Sequence, residues 1–440
     1  MHFVFGFTET FPDQFDFFQL VKNHNVMNCR VYCEKRVDYT EWLLERTRLR
    51  QFLPINKEID LFDSDAARLP ETDVETSVAH RYSAASRYAE PSLCCSVVYD
   101  QEFLNVLPKE LIERDYGCGN PAKWVRSGEV VLDLGSGGGK ICYIASQVVG
   151  ESGKVIGIDM NDDMLNLARQ YQSEIMTKIG YDNVLFFKGK IQDLALDLEK
   201  FEKYLEENPI RSANDWLEAA RVADQMRSRL PMIEADSVDV VVSNCVLNLV
   251  KQSDRRQLFS ELYRVLCEGG RAIVSDIVAN QPVPDELQND PELWSGCISG
   301  AFVEHEFLNA FEEAGFFGIE IVERHDEPWQ TIGGIDFRSV TVRAFKPPTK
   351  SQVSNSSNAV SYRGPWKKVC DEQGNEFVRG EPVTIDDHVA RTIAVGPCAN
   401  QFSGDNGNIR VRKTGQHQGQ SSLNAIDSQD SNCCDGNSCC

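Results

Sequence analysis

Residues 130–160 read VVLDLGSGGGKICYIASQVVGESGKVIGIDM, and this stretch decides the fold. A short apolar strand runs into a glycine-rich turn from Asp133 to Gly139, and KICYIASQVVG then follows a helical pattern. KVIGIDM is a second strand ending at Asp159, twenty residues after Gly139. Glycines let the backbone turn sharply and let a ligand approach the main chain closely. An acid ending the second strand is placed to accept hydrogen bonds from ribose hydroxyls. The glycines are spaced G-x-G-x-G, whereas the dinucleotide fingerprint is G-x-G-x-x-G; Gly138 blurs that distinction. At this point a nicotinamide dinucleotide site and a purely structural turn remain open. No G-x-x-x-x-G-K-[ST] occurs, so nothing indicates a P-loop.

The flanking sequence continues the alternation. NDDMLNLARQYQSEIMTKIG (161–180) reads as a helix with an acidic first turn that suits the helix dipole. NVLFFKGK (183–190), VDVVVSNCVLNLV (238–250) and RAIVSDIV (271–278) read as strands three to five, with the helix DRRQLFSELYRVL before the last. Strand and helix in alternation predict an α/β, doubly wound parallel sheet. Residues 195–230 read as a charged helical insertion. The predicted division is an extension of unassigned role (1–75), a sheet domain (76–280), an acceptor-binding segment (281–346), a linker with a small β-rich module (347–399), and a polar tail (400–440). Few apolar residues in that tail predict disorder.

The 440 residues carry 45 Lys+Arg against 67 Asp+Glu, a formal charge of -22. That argues against nucleic acid and anionic membrane partners, which need a positive field. No run approaches the roughly 18 apolar residues of a membrane span. MHFVFGFTETFPDQFDFF lacks the features of a secretory signal, so a cytoplasmic, reducing compartment is expected. The 15 cysteines then count as thiols first, and six of them fall in adjacent pairs: Cys94-Cys95, Cys433-Cys434 and Cys439-Cys440. Adjacent cysteines bind soft metals and exchange thiols readily. Cys142 and Cys267 sit in helix-like apolar patterns and read as core packing. Cys29, Cys33, Cys370 and Cys398 receive no role.

Asp133 resembles the acid that opens motif I of the class I S-adenosylmethionine methyltransferases. The resemblance implies a Rossmann-like fold, S-adenosyl-L-methionine as cofactor, Asp159 as the ribose acid, and Met160 packing on adenine. Lys190-Ile191-Gln192-Asp193 sits where such proteins clamp the adenine amine. Over residues 78–345, about 60% of the chain, the sequence is similar to the arsenite S-adenosylmethionine methyltransferases. Their three arsenic-binding cysteines match Cys118 in YGCG, Cys245 in SNCVLNL and Cys297 in GCISGAF. Cys94-Cys95 match the family's further redox cysteine. Tyr116 and Gly117 resemble its cofactor-contacting pair, and Gly135, Ser136, Gly137, Ile191, Gln192 and Asn244 complete the implied cofactor set. The insertion and the SYRGPWKKV module depart from the shorter members.

The chemistry implied is methylation of trivalent arsenic. Three thiolates satisfy a soft, three-coordinate centre and leave its lone pair as nucleophile, so no general base is required. Arsenite and methylarsenite are then the substrates, with thioredoxin or glutathione returning electrons through Cys94 or Cys95. Cys433, Cys434, Cys439 and Cys440, on a tether, are candidates for arsenite capture at raised local concentration. A monomer is expected. A methyltransferase for another small molecule and a non-catalytic metalloid-binding protein are the alternatives.

Overall fold

Alternate residues of the first strand point into two separate cores. Leu132 and Leu134 join Ile158, Leu258, Phe259 and Phe311 on one face, whereas Val131 joins Ile141, Val155, Leu165 and Val242 on the other. A strand apolar on both faces belongs in the middle of a sheet covered by helices on both sides. The computed structural model describes residues 74–90, 93, 97–349 and 357–404. Residues 1–73, Cys94 and Cys95, and the four tail cysteines Cys433, Cys434, Cys439 and Cys440 lie outside the described residues.

In chain order, the strands of the main sheet are β1 (Val130–Leu134), β2 (Lys154–Asp159), β3 (Val184–Lys188), β4 (Val238–Asn244), β5 (Leu266–Ala279), β6 (Phe302–Val303), β7 (Phe317–Arg324), β8 (Gln330–Ile332) and β9 (Ile335–Phe345). The longer helices are α1 (Val74–Ala85), α2 (Lys140–Val149), α3 (Asp162–Ile179), α4 (Leu198–Glu207), α5 (Ala213–Arg229), α6 (Arg255–Val265) and α8 (Glu304–Glu313), with the short α7 (Pro291–Ser295) before the last. Their spatial order is β3-β2-β1-β4-β5-β9-β7, with β6 on β5 and β8 on β9. β1 to β5 are parallel, in agreement with the class I methyltransferase arrangement read from the sequence. The insertion at 195–230 forms α4 and α5.

Three features differ from the sequence reading. β9 lies antiparallel against Arg271–Ala279 of β5, so residues 281–346, read from the sequence as an acceptor-binding segment, also complete the sheet. Cys267 is in β5 rather than in a helix. Its thiol donates to the Val238 carbonyl at 2.8 Å, a packing role with a local partner. The C-terminal module pairs β10 (Ser357–Tyr362) with β13 (Pro382–Asp386) and β14 (Phe402–Gly404), and carries the hairpin β11 (Lys368–Cys370) and β12 (Glu376–Val378). It also includes a helix, α9 (Asp387–Val395). β14 falls in the segment assigned by composition to the tail. It is ordered because Phe402 joins Val360, Tyr362, Phe377, Ile385 and Val389 in a small core of its own.

Candidate functional site

The glycine loop leaves β1 with Gly135 at φ 67°, a conformation that favours glycine. A Cβ there would also fall 2.5 Å from a Val246 methyl. The Gly135 and Ser136 amides donate to the Ile158 carbonyl at 2.8 and 2.9 Å, which ties the loop to the end of β2. Asp159 accepts the Gly137 amide at 2.9 Å and the Asn161 amide at 2.8 Å. An ionised carboxylate offers about four lone pairs, so acceptor capacity remains for ligand hydroxyls. Asn161 then caps α3 by accepting from the Asp163 and Met164 amides.

This corner opens into a cleft at the carboxyl ends of β1, β2 and β4. Open α/β sheets place their ligands at such strand ends. The cleft is lined by Tyr116, Asp133, Gly135, Ser136, Gly137, Asp159, Met160, Ile191, Gln192 and Asn244. All of the cofactor residues expected from sequence border it except Gly117. Gly117 instead lies under Asn244, where a Cβ would fall 2.1 Å from the side-chain nitrogen. Asn244 itself is engaged: its Oδ1 accepts the Cys118 and Gly119 amides at 2.9 and 3.0 Å, and its Nδ2 donates to the Gly119 carbonyl at 2.8 Å. The Ser136 hydroxyl is buried and has no hydrogen-bond partner among the described residues, which marks a position for a ligand group.

Asp133 also borders the cleft, and burial pushes its carboxyl up to about 8, against a hydrogen bond from the Cys142 thiol at 3.1 Å. A carboxyl with a raised folded pKa contributes stability that is complete below its unfolded value near 4 and is lost as pH rises through 8. Asp133→Asn should therefore gain stability relative to the wild type as pH rises from about 5 to about 8. Urea unfolding at the two pH values checks this, and a constant difference would refute it.

Cys118, Cys245 and Cys297 lie in one buried apolar cluster with Ile277, Ala279, Val283, Ile298, Ile335 and Phe337. Cys245 follows β4 directly and also borders the cleft, so it stands between the two sites. Its sulfur lies within 4.8 Å of that of Cys297, and the neighbouring Cys118 and Cys297 thiols together with burial hold it well above the ordinary thiol range. Burial also pushes the Cys118 thiol up, opposed by its contacts with Cys245 and Ser339. The Cys297 thiol donates to the Cys245 carbonyl at 3.1 Å. Cys245 and Cys297 both have φ 63°; among the described residues the one other non-glycine with positive φ is Asp236. Side chains other than glycine rarely adopt this conformation, and such strain concentrates at functional sites.

Several residues at the site carry no motif. Asp276, fully buried in β5, accepts the Leu247, Asn248 and Ile277 amides at 2.9, 3.4 and 2.8 Å. It fixes the turn that follows Cys245, and burial pushes its carboxyl up to about 6 despite those bonds. The Asn248 amide bridges the Ile277 and Cys297 carbonyls at 2.7 and 3.3 Å. Tyr82 on α1 borders the cleft, and burial, with the neighbouring Cys297 and Cys245 thiols, pushes its hydroxyl well above the ordinary range. A single acid inside the apolar run of β5 was the one sequence signal for Asp276; Tyr82 gave none.

The family model described as "Methyltransferase domain" matches residues 125–315. The mouse (Mus musculus) arsenite methyltransferase is 31% identical over 315 residues, covering 69% of this chain and 74% of that protein. The chain belongs to the arsenite methyltransferase family. The arsenite methyltransferase of Aquipseudomonas alcaligenes is 32% identical over 286 residues, with 62% and 72% of the two chains covered. A solved arsenic(III) S-adenosylmethionine methyltransferase from Chlamydomonas reinhardtii is 27% identical, covers 69% of this chain and 95% of that one, and has a TM-score of 0.45. Residues 349–422 match a domain of unknown function. As a class I methyltransferase, this family member uses S-adenosyl-L-methionine. No helix among its described residues is long and apolar enough to cross a membrane.

Proposed function

We propose that this methyltransferase transfers methyl groups to trivalent arsenic, from arsenite and methylarsenite, held by Cys118, Cys245 and Cys297. The observation that carries this reading is three cysteines in one buried apolar cluster, with Cys245 bordering the cofactor cleft. The raised Cys118 and Cys245 thiols suit a neutral substrate. Each thiol proton leaves with a hydroxyl of arsenous acid as water, so three As–S bonds form without burying net charge. A carboxylate general base is then unnecessary, and the arsenic keeps its lone pair.

Asp159 would hold the ribose hydroxyls, Met160 and Ile191 with Gln192 the adenine, and the Gly135–Gly137 loop with Ser136 the remainder of the cofactor. When bound, the cofactor supplies an electrophilic methyl on a sulfonium. Tyr82 and Asn244 line the cleft alongside Cys245. In this reading Cys94 or Cys95 relays electrons from thioredoxin or glutathione in the cytoplasm, and residues 281–346 provide the acceptor segment.

The test is transfer of radiolabelled methyl from the cofactor to arsenite in thiol buffer. Label in methylated arsenic species is expected; none, with cofactor affinity intact, would overturn the proposal. Removing residues 405–440, with the four tail cysteines, should raise the arsenite KM while leaving kcat near wild type, because a tethered capture site acts through local concentration. Equal KM values for the two chains would remove the delivery role.

A further inference from the structure

The three sulfurs are not the only soft-metal ligand set at this site. The ligand atoms of Cys245, Asp276 and Cys297 all lie within 4.8 Å of one another, and all three residues are buried. Trivalent arsenic has no use for the carboxylate: three thiolates satisfy it, and its lone pair occupies the fourth direction. A tetrahedral divalent cation does. Zinc takes Cys sulfur at about 2.3 Å and carboxylate oxygen at about 2.0–2.2 Å, which sets neighbouring ligand atoms about 3.5–4 Å apart.

We propose that Cys245, Cys297 and Asp276 form a site for a thiophilic divalent cation such as zinc, which excludes arsenite when filled. The carboxylate is held rigidly by three backbone amides, which engage three of its roughly four lone pairs and leave one for a metal. Outer-sphere bonds of this kind orient a ligand and raise site affinity. Each ligating thiol releases its proton to solvent on binding. The guanidinium of Arg255, stacked 4.1 Å from the Phe302 ring, is close enough to Asp276 to offset part of the anionic charge.

The consequence, inhibition of methylation, rests on the proposed function; the metal site itself does not. The test uses the full chain with Cys433, Cys434, Cys439 and Cys440 changed to Ser, so that the tail contributes no thiolate. Cadmium is the probe, read by its sulfur-to-metal charge-transfer band, and arsenite affinity is measured on the same proteins. The expected result is a band component that disappears in Cys245→Ser. Asp276→Asn should weaken cadmium binding at least about tenfold more than arsenite binding, since losing an outer partner alone costs about 10–100-fold. An unchanged band in Cys245→Ser, or equal weakening of both ligands by Asp276→Asn, would overturn the site. Should Asp276→Asn lose cofactor binding through misfolding, one-for-one displacement of cadmium by arsenite in the parent chain decides instead, and independent binding of the two refutes it. A chain that passes these measurements yet transfers no methyl to arsenite refutes the proposed function and leaves the metal site standing.

Discussion

Cys245→Ser and Cys297→Ser should each lower methyl transfer to arsenite and to methylarsenite at least about 100-fold, equivalent to about 2.7 kcal/mol of barrier. Serine replaces a soft donor with a hard one, and an As–O contact exchanges with water where an As–S bond persists. A residue at φ 63° is strained whether it is Cys or Ser, so the exchange leaves that strain as it was. Cofactor affinity, measured by equilibrium binding, should stay near wild type in Cys297→Ser, since Cys245 but not Cys297 borders the cleft. Cys142→Ser is the control. Its thiol is fully buried beneath the glycine loop and donates to Asp133, a bond that a serine hydroxyl also makes. It should retain activity within a few-fold of wild type. Wild-type turnover in both Cys245→Ser and Cys297→Ser would remove the thiolate site.

That contrast among cysteines measures how far the sequence could be read. The strand-loop-helix-strand unit from Val130 to Asp159 was legible because its signal is local: apolar runs, glycine spacing and a terminal acid all lie within thirty-odd residues. The three pocket cysteines were legible through their short flanking sequences, although 179 residues separate Cys118 from Cys297. What could not be read depends on contacts between distant segments. Asp276 matters because the turn after Cys245 folds back onto β5, and a buried acid in a strand announces neither its partners nor its neighbours. The left-handed conformations of Cys245 and Cys297 follow from the loops around them, since cysteine has no intrinsic preference for that region. β7 and β9 were missed because a parallel-sheet reading stopped at the fifth strand, where connection rules alone do not require an antiparallel edge.

Asn244→Ala should cost about 2–4 kcal/mol of stability and lower turnover at least about 100-fold even where the chain is fully folded. Sequence likeness alone put Asn244 among the cofactor contacts. The structure gives its amide a second task, since both ends are bonded to the backbone of Cys118 and Gly119. Truncation leaves two buried N–H groups and one carbonyl without that partner, and each unsatisfied group costs about 1–3 kcal/mol before any water enters from the cleft. The same residue immediately precedes Cys245, so it sets the spacing between two of the three thiols. Gly117→Ala offers an independent route to the same state. Its Cβ would fall 2.1 Å from Asn244 Nδ2 and 2.6 Å from Cγ, and the side chain would have to leave its bonds to Cys118. Both variants should therefore lose arsenite affinity along with turnover, as measured by urea unfolding, arsenite binding and methyl transfer on the same preparations. If Asn244→Ala unfolded like the wild type and lost affinity only for the cofactor, Asn244 would be a cofactor contact and nothing more, and the anchoring of Cys118 would have to come from Ser339, whose hydroxyl donates to the Cys118 carbonyl at 2.6 Å.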